Sequence, residues 1–556
     1  MNNQKNKRTI LEKLFPKQLP TIEAIEKRYP PRKLKEGAMV TRIAPSPTGF
    51  MHIGGIYTAL ISERLAHQTD GVFYLRIEDT DKKREVEGAS NLIASALKSY
   101  NINTDEGQTT SGTEIGSYGP YKQSKRTEIY QAYAKLLVEK GLAYPCFSSN
   151  EELEEIHKIQ AVRGIKPGYY QQWAKWRDKS DQEILIALDG KREFVIRFKS
   201  CGNINNKIFV NDIVLGGREL PENDQDMVII KSDGLPTYHM AHIIDDHLMR
   251  TTHVIRGNEW FSSLPLHLQL FRTMGWQAPK YGHIFPIQKI ENSSKRKLSK
   301  RKDPEANVAY YTEQGYPEDA VIEYLLNLAN SNFENWRKAN PDKNNREFLL
   351  TQKKLSGSSG PLFDFDKLND TSKGIIARYS AEEVYEKALS WTNKYDPELA
   401  KTMKKDADYT KKILNIERNS GTGGRKDIAK WFDVRTEIEY FFDQNFNITK
   451  DTAVHLLSNI DSATIKTVVD SFIKSYNEKD SKEEWFEKIK KISKTHDYAE
   501  NMKIFKENPE RYKGNITDIA RIFRVLLTGK IQTPDLYSIM QTMGKDRVLS
   551  RLSLLI

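Results

Sequence analysis

Two stretches of this sequence combine residue types suited to phosphate chemistry. The first, RIAPSPTGFMHIGG from Arg42 to Gly55, leads from an apolar segment through a proline-containing turn to His52-Ile53-Gly54-Gly55. An imidazole hydrogen-bonds a phosphate oxygen, glycine lets a nucleotide approach the backbone closely, and the first turn of a helix favours negative charge. The second, Lys297-Leu298-Ser299-Lys300-Arg301 inside SSKRKLSKRKD, carries ammonium and guanidinium groups. Such groups offset charge that shifts during phosphoryl or nucleotidyl transfer. Each stretch also has a plain structural reading, since a lone histidine suits a turn or a core and a basic run suits a solvated loop.

Other clusters hold reactive types with less support from spacing. His239, His242, Asp245, Asp246 and His247 include common metal ligands, and helical spacing would bring His239 near His242. Cys146 and Cys201 are the two cysteines, too few for a disulfide framework or, alone, for a structural zinc site. Gly421-Thr422-Gly423-Gly424-Arg425-Lys426 lacks the Walker spacing, and no Ser or Thr follows the lysine, so a basic loop is expected.

The elements that must position His52 are legible around it. Met39 to Ala44 reads as a strand, Ile53 to about Gln68 as a helix with Ile56 and Leu60 on one face, and Val72 to Glu78 as a strand alternating through Phe73, Leu75 and Ile77. This is a β-α-β unit with a parallel, right-handed crossover. Ligands of open parallel sheets bind beyond the carboxyl ends of the strands, where His52 and Glu78 both fall. A helix is expected from Ser124 to a stop near Gly141. The sheet pattern is then interrupted over 146–232, where a charged helix and short strands at Phe194–Lys199 and Met227–Lys231 suggest an inserted α+β domain. It resumes over 233–310.

Beyond residue 311 helical signals dominate, interrupted by loops at 356–361 and 419–424. Ile465, Val468, Val469 and Phe472 line one helical face and Ile519, Phe523, Leu526 and Leu527 another, as in a helix bundle. The chain of 556 residues exceeds what one core organises, so several domains are expected. No apolar run approaches the ~20 residues that span a bilayer, and the first forty residues lack the pattern of a secretory signal, so a cytoplasmic location is expected. The net charge of +11 is compatible with a polyanionic partner but equally with a solvated lysine-rich surface.

Taken together, the His52–Gly55 and Lys297–Arg301 stretches resemble the HIGH and KMSKS signatures of class I aminoacyl-tRNA synthetases. LRIEDTD (Leu75–Asp81), GPYKQSKR (Gly119–Arg126), DGLPTYHMA (Asp233–Ala241), DDHLM (Asp245–Met249) and HVIRGNEW (His253–Trp260) resemble the bacterial glutamyl-tRNA synthetase family within that class. The resemblance implies an α/β, Rossmann-type catalytic domain in two halves, 39–145 and 233–310, around an acceptor-end-binding insertion at 146–232. It further implies a stem-contact helical region at 311–415 and an all-α anticodon-binding domain at 416–556. Residues 1–38 form an extension outside it.

By the same resemblance, His52, Gly54, Glu259, Trp260, Lys297, Ser299, Lys300 and Arg301 surround ATP, with His52, Lys297 and Lys300 catalytic. Arg42, Ala44, Ser46, Glu78, Tyr238, His242 and Arg256 hold glutamate. Glu78 would accept from the ammonium, and Arg256 would meet the side-chain carboxylate. Implied partners are ATP with Mg2+, L-glutamate and tRNA(Glu), bound by a monomer. Two departures stand out. His242 replaces the family's usual asparagine, and a protonated imidazole there would add positive potential to the pocket. Some relatives bind zinc in the insertion through paired cysteines, but Cys146-Phe147-Ser148-Ser149 lacks the second thiol, so no structural zinc is expected. The histidine and aspartate run follows the family pattern, and no metal is expected there. Two rival readings are a glutaminyl-tRNA synthetase, disfavoured by the helical C-terminus and Arg256, and a non-catalytic tRNA-binding paralogue, disfavoured by intact His52, Glu78, Arg256 and Lys300.

Overall fold

The chain opens with helices α1 (Asn2–Leu14) and α2 (Ile22–Arg28), the second capped by the Thr21 side chain. Their apolar residues Ile10, Leu14 and Ile25, with Phe15 just past α1, join Tyr130 and Tyr133 in one buried cluster. Tyr29 donates to the Gly119 carbonyl at 2.9 Å and accepts from Arg126 at 3.0 Å. Arg32 grips both carboxylate oxygens of Glu106 at 2.8 and 2.7 Å. The 1–38 extension, unexplained by motif, is thus built into the core beside it. The computed structural model describes residues 2–352, 355, 360–418 and 424–553, so 356–359 and 419–423 of the two expected loops, including Gly421, Thr422 and Gly423, lie outside the described residues. Two compact units result: Met1–Tyr310 with Ile322–Asp364, and Tyr311–Val321 with Phe365–Ile556.

In the first unit, β1 (Val40–Ile43), α3 (Ile53–His67) and β2 (Val72–Leu75) make the expected β-α-β unit, with Val40 opposite Val72 and Ile43 opposite Leu75 in parallel register. Gly71 closes the crossover because a Cβ there would stand 1.9 Å from the Met39 carbonyl oxygen. Helix α4 (Ala89–Ser99), β3 (Glu106–Gln108) and the antiparallel β4 (Glu114–Ile115) extend the sheet in the order β1-β2-β3-β4. Helix α5 (Thr127–Glu139) follows a short 3-10 turn. The alternation expected through Val72–Glu78 is absent: Phe73 to Glu78 are all buried and the strand ends at Leu75. Elements cover a parallel strand on both faces, and Arg76 is tolerated inside because carboxylates surround it. Helix α3 is likewise buried around most of its girth, well beyond the stripe through Ile56 and Leu60.

The insertion contributes β5 (Ala143–Cys146), α6 (Asn150–Val162), α7 (Asp181–Asp189), β6 (Val195–Phe198), β7 (Lys207–Asp212), β8 (Gly216–Pro221) and β9 (Val228–Ile230). Capping boxes at Ser149/Glu152 and Ser180/Glu183 start the two helices. The expected strands pair as an antiparallel sheet, β5-β6-β9. Cys146 is buried there, its thiol donating to the Tyr169 hydroxyl at 3.3 Å, and Cys201 is exposed. The β7–β8 hairpin was not legible in the sequence. After the insertion come α8 (Tyr238–Leu248), β10 (His253–Gly257), α9 (Leu264–Thr273), β11 (Lys280–Ile284) and the hairpin β12 (Gln288–Glu291) and β13 (Ser294–Lys297). Strands β10 and β11 are parallel, and Thr252 N donates to Val40 O at 3.0 Å, tying β10 alongside β1. The end of β7 reaches β11 through Ile213 N donating to Tyr281 O at 2.8 Å.

Among its described residues the second unit is helical apart from a two-residue parallel pairing of Tyr498–Ala499 with Gly514–Asn515. The two expected faces are buried on helices Ser462–Ser475 and Ile516–Thr528, and Phe472 meets Phe523 with ring centroids 4.4 Å apart. Both belong to an apolar cluster running from Ile376 to Leu552, continuous across residue 415. No helix among the described residues is long and apolar enough to cross a membrane.

Candidate active site

His52 is the N-cap of α3, and its Nδ1 accepts from Gly54 N at 2.9 Å. That bond leaves the ring proton on Nε2, which donates to the Leu298 carbonyl at 3.2 Å. Leu298 is buried, so an apolar side chain anchors a loop whose neighbours are all cationic or polar. Lys300 Nζ donates to the Phe50 carbonyl, Ser299 N to Asp303 at 2.8 Å, and Lys297 lies 3.6 Å from Glu259. Arg301 N bonds back to Ser299 Oγ at 3.4 Å. Arg296 steadies the loop by pairing with Asp303, which it holds down at a pKa of about 2. Burial draws both the His52 imidazole and the Lys300 ammonium below their ordinary pKa values.

Glu259 and Trp260 lie on the 3-10 turn after β10, and the Trp260 ring sits 4.2 Å from the ring of Tyr238, the first residue of α8. Arg256, on β10 and 4% exposed, donates to Tyr238 Oη and to the Trp260 carbonyl, both at 3.3 Å. Its other partners are imidazoles: Nε donates to His283 Nε2 at 2.8 Å and Nη1 to His267 Nδ1 at 3.1 Å. The guanidinium also stands over the Tyr281 ring, 4.7 Å from its centroid.

Below this pocket lies a charge-balanced buried network. Arg76 meets Asp246 at 2.7 Å, Glu78 at 3.0 Å and Asp245 at 3.6 Å, and Arg126 meets Asp245 at 2.7 Å. Arg42 stands 3.7 Å from Asp246. Three guanidiniums face three carboxylates, which makes burial of each tolerable. Burial still pushes the Glu78 carboxyl up. Glu78 N donates to Pro45 O at 3.1 Å, which sets Ala44 and Ser46 beside it.

His242 departs from expectation. It stacks on Tyr238 and shares a 3.0 Å hydrogen bond with the Tyr281 hydroxyl. Its Nδ1 is 3.1 Å from Asp246 Oδ2 without hydrogen-bond geometry. Burial first, then Arg256, Arg42 and Arg76, push its pKa well below the ordinary value, so the imidazole is neutral near pH 7 and adds no positive potential. His239 turns to His267, with 2.9 Å between Nδ1 and Nε2. Among the described residues no group of three His, Cys, Asp or Glu side chains is arranged to hold a metal ion.

These contacts link the two basic and glycine-rich motifs to a buried cation through Lys297, Glu259, Trp260 and Tyr238. Such a site can seat a polyanion against Lys297 and Lys300 with a carboxylate at its far end. The sequence profile of the tRNA synthetases class I (E and Q), catalytic domain, matches residues 38–359, and that of an anticodon binding domain matches 425–556. A glutamate–tRNA ligase of Clostridium perfringens is 48% identical over 97% of this chain and 98% of its own length. The chain belongs to the class I tRNA synthetase family, E and Q branch. A second relative in this family, the glutamate–tRNA ligase of Sorangium cellulosum, is 45% identical over 96% of this chain and 97% of its own. Among solved structures, a glutamate tRNA ligase of Elizabethkingia meningosepticum in complex with its amino acid superposes with a TM-score of 0.72 at 27% identity, covering 93% of this chain and 98% of that one.

For this synthetase, sequence reasoning named Arg256 and Tyr238 but missed His267 and His283, which accept from Arg256, and Asp212, which holds His283. Each is a single residue in an otherwise apolar or hairpin segment, and no local spacing distinguishes it from a core residue.

Proposed function

We propose that the chain is a glutamate–tRNA ligase. The α-carboxylate of glutamate attacks the α-phosphorus of ATP and releases diphosphate. A hydroxyl of the 3′-terminal adenosine of tRNA(Glu) then attacks the adenylate carbonyl, and AMP leaves. In this reading His52, Lys297 and Lys300 stabilise phosphate charge by position and electrostatics, without a covalent enzyme intermediate. Gly54, Glu259, Trp260, Ser299 and Arg301 complete the ATP site. Arg42, Ala44, Ser46, Glu78, Tyr238 and His242 line the glutamate site, and Arg256 meets the side-chain carboxylate. Mg2+ enters with ATP, bound by its phosphate oxygens.

The observation that carries the reading is the continuous path from His52 and Leu298 through Lys297, Glu259, Trp260 and Tyr238 to Arg256. It puts phosphate-binding groups and a buried cation in one site, in a chain similar to glutamate–tRNA ligases along nearly its whole length. The proposal assigns 146–232 to the acceptor end, 311–415 to the stem and 416–556 to the anticodon. Because one chain carries all these parts, it is read as a monomer, acting in the cytoplasm where charged tRNA is used. Charging of tRNA with radiolabelled glutamate and, separately, glutamine tests it. Glutamate is expected to be joined and glutamine refused. Use of glutamine alone would assign the other branch of the family, and use of neither would assign a tRNA-binding paralogue.

A further inference from the structure

Buried guanidiniums in this protein are held by different acceptors, among them backbone carbonyls, as for Arg418 at Leu414, Ile376 and Tyr379. Arg76 and Arg126 pair with carboxylates at 2.7 Å. Arg256 is also buried, yet among the described ion pairs none involves it. Its two shorter hydrogen bonds go to ring nitrogens, which must lack a proton to accept them.

The rest of each ring follows. With Nε2 accepting from Arg256, His283 carries its proton on Nδ1 and donates it to Asp212 Oδ2 at 2.6 Å. Asp212 is fixed at the end of β7, where it also accepts from His283 N at 3.2 Å and from Val214 and Leu215 N at 2.9 Å. With Nδ1 accepting from Arg256, His267 carries its proton on Nε2 and donates it to His239 Nδ1 at 2.9 Å. Two relays therefore set the tautomers that face the guanidinium. Burial favours the neutral form of all three rings.

We propose that His267 and His283 are positioning residues for substrate selection: each offers Arg256 an unprotonated nitrogen that aims the guanidinium without neutralising it, so the site prefers a side-chain carboxylate to a side-chain amide. A carboxylate in either place would hold Arg256 as firmly and cancel the charge that distinguishes the two substrates. The inference rests on the reading of Arg256 as the partner of the glutamate side chain.

Steady-state charging of tRNA with glutamate and glutamine tests it on six variants of the full chain. His267→Leu and His283→Leu remove the acceptors, and each is expected to raise KM for glutamate about ten-fold or more with KM for ATP within about two-fold. His267→Asn places an amide oxygen near Nδ1 and His283→Gln near Nε2, and each restores most of the loss. His267→Asp keeps an acceptor but adds a charge, and narrows the glutamate-to-glutamine ratio of kcat/KM about ten-fold or more. If either leucine variant fails to fold, the amide and aspartate variants decide: amide variants with a raised glutamate KM, or an unchanged ratio in His267→Asp, overturn the proposal. Parallel rises in both KM values for the leucine variants also overturn it, since that marks a general structural role. Arg256→Gln separates the two levels. An unchanged ratio there overturns the reading of Arg256 and this proposal with it. A collapsed ratio there beside normal His267 and His283 variants overturns this proposal alone.

Discussion

His52 donates from Nε2 to the Leu298 carbonyl at 3.2 Å, joining two segments 246 residues apart in the chain. The contact makes the loop after β13 part of the same wall as the N-terminus of α3, and it fixes which ring nitrogen of His52 carries the proton. A cation on that loop therefore acts on whatever the helix N-terminus binds.

Lys300 is the clearest such cation, reaching across to the Phe50 carbonyl. Lys300→Ala is expected to slow charging of tRNA with glutamate by about 10² or more, because a charge-stabilising donor leaves the transition state. Affinity for tRNA should change little. Single-turnover charging and a filter-binding titration measure the two; an unaltered charging rate would remove Lys300 from the chemistry.

His52 caps α3, and substitutions separate that structural duty from the chemical one proposed for it. Its Nδ1 caps α3 through Gly54 N, a bond that an asparagine oxygen can replace. His52→Asn should keep thermal stability near wild type while charging falls by about ten-fold or more. His52→Ala should lose activity and in addition about 1 kcal/mol of stability. Melting temperatures and charging rates of the pair give the answer, and equal melting points for Asn and Ala would deny the cap its role.

His67 predicts a dependence of stability on pH. Hydrogen bonds to Asp105 first and to Glu63 next raise its pKa from 6.5 to about 9. A folded-state pKa above the unfolded one means protons bind more tightly to the folded protein, so this stabilisation is complete below pH 6.5 and is lost as pH rises through about 9. Because Asp105 is partly exposed, the pairing is worth roughly 1 kcal/mol. The melting temperature of wild type should exceed that of His67→Gln at pH 6, and the gap should close by about pH 10. A gap that is constant with pH would mean that His67 acts by packing.

Binding of tRNA should weaken steeply with salt, since Lys and Arg contacts to phosphates release counterions. A plot of log affinity against log salt concentration is expected to fall in a straight line. A flat plot would exclude an interface dominated by phosphate contacts.

The sequence by itself determined the local units and the chemical types. Helical and strand periodicity placed β1, α3 and β2, and the two helix faces at Ile465–Phe472 and Ile519–Leu527, because those patterns depend on neighbours three, four or two residues away. His52, Lys297 and Lys300 stand in stretches whose composition suggests phosphate chemistry, and Glu78 and Arg256 were singled out by motifs that resemble the synthetase family. Tertiary structure decided who meets whom. The neutral state of His242 comes from burial beside three arginines, Arg42 on β1, Arg76 just past the end of β2 and Arg256 on β10, a sum no single segment carries. The arm over 1–38 reads as polar and basic, yet Tyr29 and Arg32 lock onto Gly119, Arg126 and Glu106. His267 and His283 meet Arg256, and Asp212 backs His283, because the unanticipated β7–β8 hairpin docks on β11 and α9 follows β10. Strand register and helix docking are long-range properties, so residues that share a pocket only through them leave no spacing in the sequence to find.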